Sequence, residues 1–214
     1  MWKAMDVLED PPCYLVQDDL YKSCYYARDY VSRGGYAASE ANQLVSNLKK
    51  SVSKRGTNEW RYKEAAISKF SGELSAWLAD SDNEFTIAAI PCSKHRSDAE
   101  YDDRLDRVIE QVAKRCQNAT AVRPFSRKVS RQAAHLSNTR PSISEIYDSL
   151  MWDGFELHTE LVLLVDDVIT TGASFRACYR LFMENAPTAQ VYGVFWARTV
   201  WPDQPDVNLA EFDF

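Results

Sequence analysis

The chain has 214 residues, 45% of them hydrophobic and 26% charged, with a net charge of −6, a composition that builds one good core and excludes a long disordered tract. The acidic balance argues against a general nucleic-acid binder, whose affinity rests on neutralising phosphates, and no run of about 18 apolar residues offers a membrane span. The first ten residues lack the basic-then-apolar order of a signal peptide, so a cytoplasmic protein without membrane contact is expected, and the five cysteines, with no Cys-x-x-Cys pair, are expected as reduced thiols.

Residues 1–60 are expected to form an N-terminal extension or hood. Pro11-Pro12 makes an irregular lead-in. Cys24 to Tyr30 is aromatic and favours a strand or hairpin that ends in a turn at Gly34-Gly35. Ser39 is placed to cap a helix with Ala41, Leu44, Val45 and Leu48 on one face, ending near Lys49-Lys50, where cations suit the helix dipole.

Residues 61–200 are expected to form the core. A helix from Arg61 to Ala79 carries Ala66, Phe70, Leu74 and Leu78 at helical spacing, and Phe85 to Ile90 is a short apolar strand stopped by Pro91. A helix from about Asp98 to Cys116 follows, with Leu105, Val108, Ile109 and Val112 on one side, then a strand over Ala119 to Val122. Pro124 to Pro141 is long and basic, a candidate functional loop, and Ser144 to Trp152 reads as a small helix or turn. Leu161 to Val165 is continuously apolar, as a strand buried on both faces of a parallel sheet is. Ser174 to Asn185 reads as a helix and Gln190 to Trp196 as a strand. This alternation predicts an α/β fold, a mainly parallel twisted sheet flanked by helices, with residues 201–214 as a tail.

The chemistry concentrates in Val162-Leu-Leu-Val-Asp-Asp-Val-Ile-Thr-Thr-Gly-Ala-Ser174. Asp166 and Asp167 stand where the carboxyl end of a parallel strand meets the usual ligand crevice, and ionised carboxylates accept hydrogen bonds from the adjacent hydroxyls of a ribose. Thr170, Thr171 and Ser174 add hydroxyls, Gly172 permits close backbone approach, and a helix N-terminus suits a phosphate. Neither Gly-x-x-x-x-Gly-Lys-Ser/Thr nor Gly-x-Gly-x-x-Gly occurs, which argues against a P-loop hydrolase and a dinucleotide fold.

Two basic stretches could serve the same ligand. Ser93, Lys94 and Arg96 follow the Phe85 to Ile90 strand and either donate to a diphosphate or form a solvated turn. From Lys114 to Ser144 there is no Asp or Glu, and Arg123, Arg127, Lys128, Arg131 and Arg140 are cationic. That run is a lid over a polyanion, a solvated loop, or a surface for a protein or nucleic-acid partner. His95 and His135 are candidate proton carriers, though a loop histidine is more often merely exposed.

The 162–174 segment resembles the 5-phosphoribosyl 1-diphosphate motif of the type I phosphoribosyltransferases. The resemblance implies that Asp166 and Asp167 contact the ribose hydroxyls, and Mg2+ indirectly through ligand or water, while Thr170, Thr171, Gly172 and Ser174 hold the 5-phosphate. It places Ser93 and Lys94 in the diphosphate loop and leaves Lys94, Arg96 and Arg131 as catalytic candidates. It implies transfer of phosphoribosyl to a nucleobase or other nitrogen acceptor, and homodimers as an assembly to consider. Over residues 44–198 the order of elements is similar to the ComF-like branch, through Leu48-Lys49-Lys50, Ile90-Pro91 and Ala197-Arg198, without that branch's zinc-binding cysteines. No general base stands out, which keeps two other functions open: a sensor or regulatory protein that binds the sugar phosphate without turnover, and a nucleotide-modifying effector with a nucleic-acid or protein partner.

Overall fold

A computed structural model describes residues 2–8, 11–130, 141–157 and 159–202. The chain opens with β1 (Lys3–Ala4), a single helical turn α1 (Cys13–Val16) and β2 (Cys24–Val31). α2 (Glu40–Leu48) begins where the Ser39 hydroxyl accepts from the Asn42 N–H. The Asn42 amide then fastens the helix to β2 by bonding both the N–H and the C=O of Val31. α3 (Trp60–Leu78) buries Ala66, Ile67, Phe70, Leu74 and Leu78, and leads to β3 (Phe85–Ala89), every residue of which is buried.

α4 (Arg104–Arg115), β4 (Ala119–Val122) and β5 (Phe125–Arg127) follow. α5 (Ile143–Asp148) starts on a capping box between Ser142 and Glu145, and β6 (Leu150–Trp152) pairs antiparallel with β5. β7 (Leu161–Ile169), α6 (Ala173–Asn185) and β8 (Gln190–Val200) complete the order.

The central sheet has strand order β1-β2-β8-β7-β3-β4, parallel except for β1 on the edge. Its two faces are covered by different helices. On one, Leu105, Val108, Ile109 and Val112 of α4 and the apolar stripe of α3 pack against Ile87, Ala89, Leu163 and Val165. On the other, Phe175, Ala177, Cys178 and Phe182 of α6 pack against Ala88, Val162 and Leu164. The chain therefore winds from β3 through α4 to β4 in one direction and from β7 through α6 to β8 in the other. β3 and β7 are neighbours, so the order reverses between them, and their carboxyl ends flank the crevice where open α/β sheets take ligands.

The structure differs from the sequence reading in four places. Cys24 to Tyr30 is a strand inside the central sheet between β1 and β8, and its antiparallel partner β1 precedes it in the chain instead of following a turn at Gly34-Gly35. α4 starts at Arg104, not Asp98, because Asp98 accepts the Glu100 N–H and Asp102 accepts the Arg104 N–H, local turns that compete with helix. β7 continues through both aspartates to Ile169, and β8 to Val200, since each has a partner strand that far along. The basic connection opens with β5, and Arg127 is buried, donating to the carbonyls of Pro91 and Cys92 and to the Ser149 hydroxyl at 3.2, 3.0 and 2.7 Å. Arg131, His135 and Arg140, and all of the tail beyond Pro202, lie outside the described residues. No helix among the described residues is long and apolar enough to cross a membrane.

Candidate functional site

Asp166 and Asp167 sit near the end of β7, at the reversal of strand order, and their environments diverge. Asp167 is 3% exposed and has both oxygens engaged. Oδ2 accepts from Arg104 Nε and Nη2 at 3.0 and 2.7 Å, and Oδ1 lies 3.0 Å from Lys49 Nζ. Arg104 is the first residue of α4 and Lys49 the residue that closes α2, so three elements meet on one carboxylate. Arg104 Nη1 also donates to Asp102 Oδ2 at 2.7 Å, and that oxygen accepts from the fully buried Lys63 at 2.7 Å. Lys63 completes its shell with the carbonyls of Leu48 and Lys50, both at 2.8 Å. The result is an alternating chain of charge, Lys63 to Asp102 to Arg104 to Asp167 to Lys49, with each buried member paired as burial demands.

This arrangement splits the two acids electrostatically. Burial disfavours the charged form of both. For Asp167 the nearby charges and hydrogen bonds of Lys49 and Arg104 outweigh it and hold the carboxyl well below the usual carboxylate range. For Asp166 burial dominates, the negative charge of Asp167 adds to it, and the group is pushed up to about 7. Asp166 keeps one local partner, the Asp167 N–H, which donates to its Oδ1 at 2.7 Å.

Beyond β7 the chain turns into α6 through Thr170 to Gly172. The Thr170 hydroxyl bonds that of Thr199 on β8 at 2.8 Å. Gly172 takes the left-handed conformation, φ +85°, and the first intrahelical bond closes from the Arg176 N–H to its carbonyl at 2.9 Å. The N–H groups of Ala173, Ser174 and Phe175 precede that bond, the geometry in which a helix start accepts an anion. The N-terminal segment lies against the turn: the Tyr14 N–H donates to the Thr171 carbonyl at 2.9 Å.

The loop after β3 brings Ser93, Lys94, His95 and Arg96 to the same edge of the sheet, the first three half-buried and Arg96 exposed. Its cations are matched by carboxylates. Lys94 lies 2.8 Å from Glu100 and 3.7 Å from Asp98, while Arg96 lies 3.3 Å from Asp153 and donates to the Phe125 carbonyl at 3.0 Å. His95 Nδ1 is 2.7 Å from the Ser97 hydroxyl. Arg96, Arg104 and Arg123 line a cavity at the carboxyl end of β3 of only about 10 Å³, room for about one water. In the basic run, Arg115 bonds the Ser71 hydroxyl of α3 at 2.9 Å and Arg123 pairs with Glu110 and Asp106. Cys24 and Cys178 have thiols pushed up to about 12 by burial, and all five cysteines are free.

The sequence reading did not single out Lys63, Asp102 or Arg104, and read Lys49 as a complement to a helix dipole and as part of the Leu48-Lys49-Lys50 resemblance, with no role at the acidic pair. In the sequence Arg104 is one more charge on the polar side of an amphipathic helix, and its partner Asp167 is 63 positions away. Only the fold brings them together.

Among the described residues no group of three or more His, Cys, Asp or Glu side chains gathers as a metal cage. With both Asp167 oxygens engaged, Asp166 is the carboxylate left to face a cation. Mg2+ commonly keeps most of its waters and binds through one or two carboxylates plus substrate phosphates. These residues fit a metal that arrives on a ligand's phosphates, and do not fit one held by protein alone.

No family model matches the chain, and no curated protein matches it. Among solved structures, the Helicobacter pylori xanthine-guanine-hypoxanthine phosphoribosyltransferase is similar at 13% sequence identity with a TM-score of 0.36, over 65% of this chain and 90% of that one.

Proposed function

We propose that the chain binds 5-phosphoribosyl 1-diphosphate at the junction of β7 and α6 and transfers its phosphoribosyl group to a nitrogenous acceptor. The observation that carries this reading is the continuity of two chemistries on one short segment at the reversal of strand order. Acidic side chains suited to sugar hydroxyls pass within four residues into a hydroxyl-rich turn and helix start suited to a monophosphate. Asp166 takes the ribose hydroxyls, and Thr170, Thr171, Gly172 and Ser174 take the 5-phosphate. Ser93, Lys94 and Arg96 face the diphosphate, and Arg131 remains a further candidate for that end. In the transfer the bond from C1 to the diphosphate oxygen breaks, a bond from C1 to the acceptor nitrogen forms, and the acceptor proton is released. Mg2+, when carried on the diphosphate, neutralises the leaving charge. The protein's contribution is positioning.

A second reading, binding without turnover, is favoured by the ion pairs that occupy Lys94 and Arg96 and by the closed shell around Asp167. One assay separates the two: diphosphate release from the ligand with Mg2+ across a panel of nucleobases and other amines. Release that requires an acceptor identifies a transferase, and saturable binding with no release under any acceptor identifies a sensor. In either case, at pH 8, above the raised pKa of Asp166, Asp166→Asn should weaken ligand binding about tenfold or more, the loss of a hydrogen bond to a charged group. Unchanged affinity in that variant rules out the placement of the sugar.

A further inference from the structure

The phosphate turn is held from the side by a segment of chain that lies about 150 residues earlier. The Tyr14 N–H donates to the Thr171 carbonyl at 2.9 Å. Leu15, fully buried, presses so closely on Gly172 that a Cβ there would lie 2.6 Å from Leu15 Cγ. Arg176, in the first turn of α6, reaches back across this segment: Nη1 donates to the carbonyls of Tyr14 and Gln17, both at 2.9 Å, and Nη2 to Asp18 Oδ2 at 2.7 Å. Asp18 and Asp19 adopt left-handed backbone, φ 66° and 54°, a conformation that residues with a Cβ take up at a cost. A strained pair of residues persists where tertiary contacts over-determine it. Here the contact to Asp18 is Arg176.

We propose that residues 12–18 belong to the sugar-phosphate site as a strap, latched by Arg176, that holds the Thr170–Gly172 turn in its anion-accepting form. This rests on the phosphoribosyl reading and extends it to a positioning residue that lies outside the motif's acidic and hydroxyl positions. A turn that donates consecutive N–H groups to a phosphate must keep them convergent, and a loop left alone spends most of its time in other conformations. The strap removes that freedom through one backbone bond, one packed leucine and one three-fold arginine latch. Arginine suits the latch because its planar fork serves two carbonyls and a carboxylate at once, which a lysine ammonium on a flexible stem does less well.

The test uses the full chain in wild-type, Arg176→Ala and Arg176→Lys forms. Hydrogen exchange is followed at amides 14–15 and 176–177, which are hydrogen-bonded across the strap and the helix start, and calorimetric titrations are run with ribose 5-phosphate and, separately, inorganic diphosphate. The strap predicts that Arg176→Ala accelerates exchange at both sets of amides at least tenfold and weakens ribose 5-phosphate about tenfold. It also predicts that inorganic diphosphate binding is unaltered and that Arg176→Lys recovers part of both losses. Faster exchange in the strap alone, with the 176–177 amides and ribose 5-phosphate affinity unchanged, overturns the proposal. So does an equal loss for both ligands together with a lowered thermal midpoint, which marks a merely structural arginine. If the wild-type chain binds neither ribose 5-phosphate nor 5-phosphoribosyl 1-diphosphate, the phosphoribosyl reading falls. The exchange at 176–177 then decides by itself whether the strap orders the turn.

Discussion

Removing the Asp167 carboxylate takes one of two carboxylate partners from the largely buried Arg104 guanidinium and the partner from the exposed Lys49 ammonium. Asp167→Ala is therefore expected to cost about 3–5 kcal/mol, as breaking one side of a buried ion pair does, measured by denaturant unfolding at pH 7. A cost below about 1 kcal/mol would show that water reaches Arg104 as well as Lys49. Gly172→Ala places a side chain in left-handed backbone and against Leu15, with an expected loss of about 1–3 kcal/mol. Glu73 provides a pH signature away from the site. Burial raises its pKa, but the Trp196 Nε1–H, the Lys69 ammonium and the Arg28 guanidinium outweigh burial and hold it below its usual value. A depressed folded-state pKa stabilises above the unfolded value and loses that contribution as pH falls through the folded one. The wild type should lose more stability than Glu73→Gln when the pH drops from 5 toward 3, and parallel unfolding curves in that window would remove the group from the acid limb.

The secondary-structure elements were legible in proportion to how locally they are determined. α2 announced itself by Ser39 and its apolar stripe, β3 by five apolar residues before a proline, and the β7-to-α6 junction by the acidic pair running into Gly172. What the sequence concealed depends on long-range partners. Arg127 reads as a loop cation, yet its hydrogen bonds to the carbonyls that follow β3 and to Ser149 make it the anchor of the β5–β6 pair. Lys63 reads as the polar side of α3 and is the fully buried tie between the end of α2 and the loop before α4. Lys63→Met keeps the length of the side chain but leaves the Leu48 and Lys50 carbonyls and part of Asp102 unsatisfied, an expected loss of about 3 kcal/mol. Faster hydrogen exchange should then concentrate at the C-terminal turn of α2 and the first turn of α4. A uniform change across the sheet would contradict the tie.

Across the whole molecule, one topological feature positions the site. The sheet reverses its winding between β3 and β7, placing the loop after β3 beside the acidic pair and the turn into α6. The α/β class was readable from alternating strand and helix patterns. The place of β2 was not, because pairing with β8 is a contact across about 170 residues that aromatic composition alone cannot specify. The acid-free run from Lys114 to Ser144 changes character in the fold: Arg115, Arg123 and Arg127 are engaged with the protein itself, which reduces the positive field the bare sequence suggests. The most direct test of the central claim is calorimetric titration of the chain with 5-phosphoribosyl 1-diphosphate and Mg2+, repeated with Thr170→Ala/Ser174→Ala. A sugar-phosphate site at this junction requires saturable binding by the wild type and at least a tenfold loss in the double variant, with its unfolding midpoint preserved. No saturable binding at millimolar ligand, or equal affinity in both proteins, would contradict it.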